Sequence, residues 1–142
     1  MKRYFEVGVR YDKTQEDGMV KKVTETYLID ALSFSEVEKR ITEEMEAYIS
    51  GEFSVVTEKI TNIADVINTD DVLADKFYKV KFSIITVNEL TGKEKKQTKL
   101  IVVKASSNDD ARDRYKQYYK DTPADLVLEA VSETKYIDYI PY

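Results

Sequence analysis

Val23 to Ile49 reads VTETYLIDALSFSEVEKRITEEMEAYI, a strand that runs through a short capped turn into a helix. The same grammar returns at Gln97 to Pro123, QTKLIVVKASSNDDARDRYKQYYKDTP, at an offset of 74 residues. At that offset Ala31 falls on Ala105, Ser33 on Ser107, Glu36 on Asp110, Arg40 on Arg114 and Ile41 on Tyr115. An internal duplication is the first thing to settle in any fold argument, because each copy must then be one structural unit.

Working outward, Phe5, Val7, Val9 and Tyr11 alternate with Glu6, Arg10 and Asp12. Period two with aromatic and β-branched residues reads as a half-buried strand over Tyr4 to Asp12. Lys13 to Met19 holds Asp17-Gly18 and supplies a hairpin turn. The returning strand covers about Val20 to Asp30; Tyr27-Leu28-Ile29 is apolar on both faces, as a strand covered on both sides is. Ser33 with Glu36 fits a capping box, and Ser35 with Glu38 fits it equally well. Val37, Ile41, Met45 and Tyr48/Ile49 then recur at helical spacing, and Gly51 suits a left-handed helix close. Phe53 opens a third strand to about Ile60. Ile63, Val66 and Ile67 suggest a helical turn, and Asn68 to Asp71 a surface loop.

The second half repeats the order. Tyr78, Val80, Phe82 and Ile84 match the first strand at an offset of 73. Asn88 to Lys96, with Thr91-Gly92, is the second hairpin turn, one residue longer than the first. Leu100 to Val103 is the second double-sided strand, Ser107 with Asp110 the second cap, and Pro123 the stop after the second helix. Leu126 to Ser132 is the last strand; its Val131-Ser132-Glu133 resembles Val56-Thr57-Glu58. The chain ends on Ile137, Ile140 and Tyr142, expected to dock. The expectation is an α+β fold: tandem β-β-α-β units forming one pseudo-twofold antiparallel sheet of about six strands with two helices. It makes one domain of two repeats, about 1–67 and 76–142, joined by a connection at 68–75.

Composition narrows the chemistry. Charged residues make up 35% of the 142, against roughly 25% in an average globular protein. The chain has no cysteine, histidine or tryptophan, so disulfides, thiolates and the usual zinc, haem and iron–sulfur ligand sets are unavailable, as is the histidine base of serine and cysteine hydrolases. No Walker motif, dinucleotide fingerprint or Gly-x-Ser-x-Gly occurs. No cofactor is expected. No apolar run approaches the ~20 residues that span a bilayer, and the charged, alternating N-terminus is no secretory signal; a cytoplasmic protein without membrane contact is expected. The net charge of −5 is uneven: residues 1–70 hold nine Lys/Arg against fifteen Asp/Glu, and residues 71–142 thirteen against twelve. An anionic partner belongs on the second half.

The words KKVTETYLIDALSFSEVEKRITEEM, YISGEF, FYKVKFSIITVNELTGKEKK and ETKYIDYIPY resemble an uncharacterised domain-of-unknown-function family of Bacteroidota, their phages and mobile elements. The resemblance covers nearly the whole chain. It implies a bacterial or phage-infected cell, and it brings no activity and no catalytic residues to carry over.

Three surfaces are candidates for a site. The second helix mixes Arg112, Arg114, Lys116 and Lys120 with Tyr115, Tyr118 and Tyr119; cations along phosphates and stacked aromatics are what hold single-stranded nucleic acid. Tyr115 and Tyr119 fall on core positions, which leaves Tyr118 for solvent. The second hairpin offers Lys95, Lys96 and Lys99, which grip phosphates or simply protect a sheet edge from aggregation. Tyr4 and Phe77 lie opposite the main core face with Lys79, Lys81 and Arg10 nearby, a stacking platform or a homodimer contact. The acidic face of the first helix, Glu36, Glu43, Glu44 and Glu46, is a solvated surface or a mimic of nucleic acid. Asp70, Asp71 and Asp75 lack the spacing and glycine of a calcium loop. The reading favoured is a non-enzymatic module binding single-stranded DNA or RNA. The alternatives are a phage-type protein that inhibits a host factor or sequesters a small nucleotide, and a metal-dependent nuclease.

Overall fold

The alternation that begins at Arg3 continues through Thr14, and this strand, β1, pairs with β2 (Val20–Ala31) along its whole length. The computed structural model describes residues 3–142, so residues 1 and 2 of the first repeat lie outside it. Helix α1 (Phe34–Tyr48) follows, then β3 (Phe53–Ile60) and a three-residue strand β4 (Asp65–Ile67). The second repeat supplies β5 (Lys76–Val87), β6 (Glu94–Ala105), α2 (Asn108–Tyr118), β7 (Asp125–Glu133) and β8 (Tyr136–Ile140).

The fold is α+β, but the sheet differs from the one expected. Instead of one antiparallel sheet of about six strands there are two sheets of four, ordered β3-β1-β2-β8 and β4-β6-β5-β7. Each repeat is β-β-α-β-β, and the fourth strand of each runs parallel to its partner: β8 beside β2 and β4 beside β6. Ile63, Val66 and Ile67 have helical spacing, yet Asp65 to Ile67 is extended and pairs with Ile101 to Val103. Short apolar runs fit either period, and strand pairing decides here.

The chain condenses into two compact units. The first holds the chain up to Asn62 together with Lys135–Tyr142, the second Ile63–Thr134. Each repeat therefore completes its partner unit's sheet with its own last strand. In the first unit Phe5, Val7, Val9, Ile29 and Ala31 pack beneath Val37, Ile41 and Met45. In the second, Val80, Phe82, Ile101, Val103 and Ala105 pack beneath Ala111 and Tyr115. Leu28 and Val102, on the sheet faces turned from the helices, are also fully buried, as the double-sided runs imply.

The local signals act as capping chemistry requires. Ser33 Oγ accepts from Glu36 N at 3.2 Å, and Ser107 Oγ from Asp110 N at 3.1 Å. The reciprocal bond lands elsewhere: Asp110 Oδ2 accepts from the N–H of Ser106, one residue before the cap. Gly18 and Gly92 take positive φ in the two hairpin turns, where a Cβ is strained. Gly51 does not; α1 closes at Ile49, whose N–H donates to Met45 O. Both edge strands β3 and β7 carry a bulge at equivalent places, opposite Gly8/Val9 of β1 and Lys81/Phe82 of β5. That register sets Glu58 against Val7 and Val131 against Val80. The likeness of Val56-Thr57-Glu58 to Val131-Ser132-Glu133 is thus two residues out of step with the fold.

Candidate functional site

The β5–β6 ribbon of the second unit is far longer than its apolar alternation suggested. Pairing runs from Lys76↔Ala105 to Val87↔Glu94, and every residue from Thr86 to Thr98 is exposed. Beyond the helix no core patterning is needed, so lysines replace alternating apolar residues. Residues 76–105 carry eight lysines and two glutamates, a net +6 within a chain of net −5. The matching ribbon of the first unit, residues 3–31, holds five cations against six carboxylates. Charge thus separates the two ribbons more than it separates the two helices.

Register assigns the lysines to faces. Lys95 and Lys99 pair with Thr86 and Phe82 and lie on the helix side, while Lys79, Lys81, Lys96 and Lys104 lie on the face turned from α2. Strand β4 covers β6 only at Ile101 to Val103, so the Glu94–Lys99 edge has no second neighbour strand among the described residues. On the outward face Lys96 Nζ lies 2.7 Å from Glu129 Oε1, and Ser83 Oγ donates to Glu129 Oε2 at 2.9 Å. Lys96 and Ser83 hold the Glu129 carboxyl below the usual carboxylate range, with a smaller push from Lys81.

The other candidate residues are dispersed. Phe77 is only 2% exposed and carries Lys104 Nζ 5.7 Å from its ring centroid, so it offers no open stacking face. Tyr4 belongs to the first unit, half-buried against Tyr139 with ring centroids 6.2 Å apart. Lys79 is half-buried. On α2, Tyr115 and Tyr119 turn inward onto Phe82, and burial pushes the Tyr119 hydroxyl up to about 12. Tyr118 is 54% exposed, but its hydroxyl donates to Asp65 on β4 at 3.0 Å. Arg112 Nε donates to Asn108 Oδ1, and Lys116 and Lys120 are exposed.

Arg114 is neutralised twice, at 2.9 Å from both Asp110 and Asp71. The Ser106 N–H and Arg114 hold Asp110 below its usual range. Arg114 lines a hollow of about 450 Å³ with Ile67, Asp113, Gln117 and Tyr118; with its charge already met, that hollow has no evident preference for anions. Arg40, the counterpart of Arg114, donates to the carbonyls of Asp30 and Pro141. Both arginines therefore clasp the segment that follows an incoming fourth strand. Among the described residues no group of three or more Asp or Glu side chains is placed to hold a metal ion, and no helix is long and apolar enough to cross a membrane.

Sequence reasoning missed Ser83, Thr98 and Glu129 as partners of the lysines. Summing charge over the whole ribbon, rather than over the helix, was the signal that points to this face.

The family profile for a domain of unknown function, DUF4494, matches residues 3–142. The chain belongs to the DUF4494 family. No curated protein and no solved structure matches it. The DUF4494 domain is accordingly understood from its own residues.

Proposed function

We propose that this protein binds single-stranded nucleic acid, without catalysis, through the β5–β6 ribbon. The observation that carries the reading is the concentration of eight lysines against two glutamates on one ribbon of an acidic chain, a ribbon whose outer part from Thr86 to Thr98 is exposed throughout. Such a local field attracts a polyanion although the protein as a whole is negative. Lys93, Lys95, Lys96 and Lys99 border the strand edge that β4 leaves uncovered, with Lys81 on the outward face. A flexible single strand can follow cations around both faces of a narrow ribbon, whereas a duplex presents its phosphates on a stiff cylinder. The phage or mobile-element setting in Bacteroidota that the sequence resemblance implies, and a cytoplasmic location, fit this reading.

Fluorescence anisotropy with labelled single-stranded and duplex oligonucleotides across a salt series tests it. The expected result is single-strand binding at low salt, with log K falling linearly against log salt. Lys95→Glu with Lys99→Glu is expected to weaken it by about tenfold or more, as repelled phosphate contacts should. Lys13→Glu with Lys21→Glu in the first ribbon should have little effect. Absence of binding at low salt, or indifference to the β6 substitutions, would leave these lysines as edge protection only.

A further inference from the structure

Glu129 is the extra residue of the β7 bulge: Lys81 pairs with Ala130 and Phe82 with Leu128, leaving Glu129 unmatched. A bulge re-aims its side chain, and here the carboxylate lands on Lys96 at 2.7 Å and on the Ser83 hydroxyl at 2.9 Å. Ser83 is fully buried, and its oxygen also lies 3.3 Å from Thr98 Oγ1. The other repeat shows that the bulge does not require a carboxylate. There the equivalents of Lys81, Ser83, Lys96, Thr98 and Glu129 are Gly8, Arg10, Lys22, Thr24 and Val56. Val56 fills the place beside Gly8 and Thr24 with a methyl group.

We propose that Lys96, Ser83 and Lys81 form a phosphate subsite that Glu129 occupies until a phosphodiester group of a bound strand displaces it. The subsite rests on the nucleic-acid reading above and adds regulation to it. A carboxylate held by an ammonium and a hydroxyl marks a place suited to an anionic oxygen pair. The Lys96 and Glu129 side chains are 57% and 24% exposed, so solvent and ligand reach the pair, and ion pairs open to water are weak. Glu129 is tethered, and tethering corresponds to an effective concentration on the order of millimolar. Free phosphate competes poorly with that. A strand already anchored on Lys93 and Lys95 delivers its next phosphate by the same intramolecular advantage. The ligand class is therefore a phosphodiester chain rather than a lone phosphate ion.

The test compares wild type with Glu129→Gln and Glu129→Val, the latter placing the first repeat's residue in the bulge. The probes are fluorescein-labelled oligo(dT) and inorganic phosphate as competitor, with thermal denaturation as a fold control. Both variants are expected to bind oligo(dT) about three- to tenfold more tightly. The salt slope should steepen by about 0.7, one further phosphate contact on a single strand, and phosphate should not compete with wild type at millimolar levels. Adding Ser83→Ala to Glu129→Gln should remove part of the gain. Wild-type binding that the Glu129 substitutions leave unchanged or weaken overturns the subsite while leaving the ribbon reading intact. If neither wild type nor variants bind at low salt, the ribbon reading itself has failed and the subsite falls with it.

Discussion

Thr61 donates twice to one oxygen, the carbonyl of Tyr4: from its backbone N–H at 3.0 Å and from its hydroxyl at 2.7 Å. Thr134 does the same to Phe77, with both bonds at 2.8 Å. Each threonine stands where the chain leaves one compact unit for the other. Thr61→Val and Thr134→Val keep the β-branch and remove the hydroxyl donor, so each should destabilise by ~1 kcal/mol, a typical net hydrogen bond. Urea denaturation of the two variants should give closely similar losses.

Glu58 is expected to destabilise the protein at neutral pH. Its Oε1 is buried with no hydrogen-bond partner, and burial, with Glu38 nearby, raises its carboxyl above the ordinary value. A raised carboxyl binds more protons folded than unfolded, so its contribution favours folding below the unfolded pKa and is lost as pH rises through the folded one. Glu58→Gln should flatten that part of the pH profile. Glu58→Val, the residue at the matching Val131 place, should raise stability at pH 7 by about 1 kcal/mol, the low end for an unpaired buried acceptor. Thermal melts from pH 4 to about 7, bracketing carboxylate titration, check both.

Gly8 has no room for a side chain. A Cβ there would lie 2.3 Å from Thr57 Oγ1, so Gly8→Ala should cost about 1–3 kcal/mol, the usual range for overpacking. Thr57→Ala in the same chain should restore part of the loss. A double-mutant cycle measures the coupling; independent, additive effects would place the strain elsewhere.

A cut in the 68–75 connection should not separate the halves. Val72 and Leu73 are highly exposed there, and a protease site inserted between them is accessible. After cleavage β4 remains in the N-terminal fragment while pairing with β6, and β8 remains in the C-terminal fragment while pairing with β2. The fragments should elute together on size exclusion and part only in denaturant. Separation without denaturant would show that β4 and β8 hold too weakly to join them.

Ser33, Ser107 and the alternation of Phe5 to Tyr11 were legible because local chemistry determines them. Tyr27-Leu28-Ile29 and Leu100 to Val103 announced burial on both faces by composition alone, although Leu100 itself is only half-buried. Strands β4 and β8 were not legible, since three to five residues show no distinctive period and parallel pairing links distant positions. The outer half of β6 was hidden for another reason. Glu94 to Thr98 lies beyond the helix, so its side chains carry no burial signal and resemble a turn. Glu129 acquires meaning only from a bulge register that the Val-Ser-Glu likeness misplaces by two positions.

The crossed fourth strands also govern when this protein can finish folding on a ribosome. The open side of β2 waits for residues 136–140, which emerge on the order of ten seconds later at ordinary elongation speeds. Strand β4 emerges before β6 exists to receive it. Neither half can mature early and shelter there; an unpaired strand edge stays available to wrong partners until residues 136–140 have emerged. The protein's exposure to misassembly is therefore set by how fast it is made.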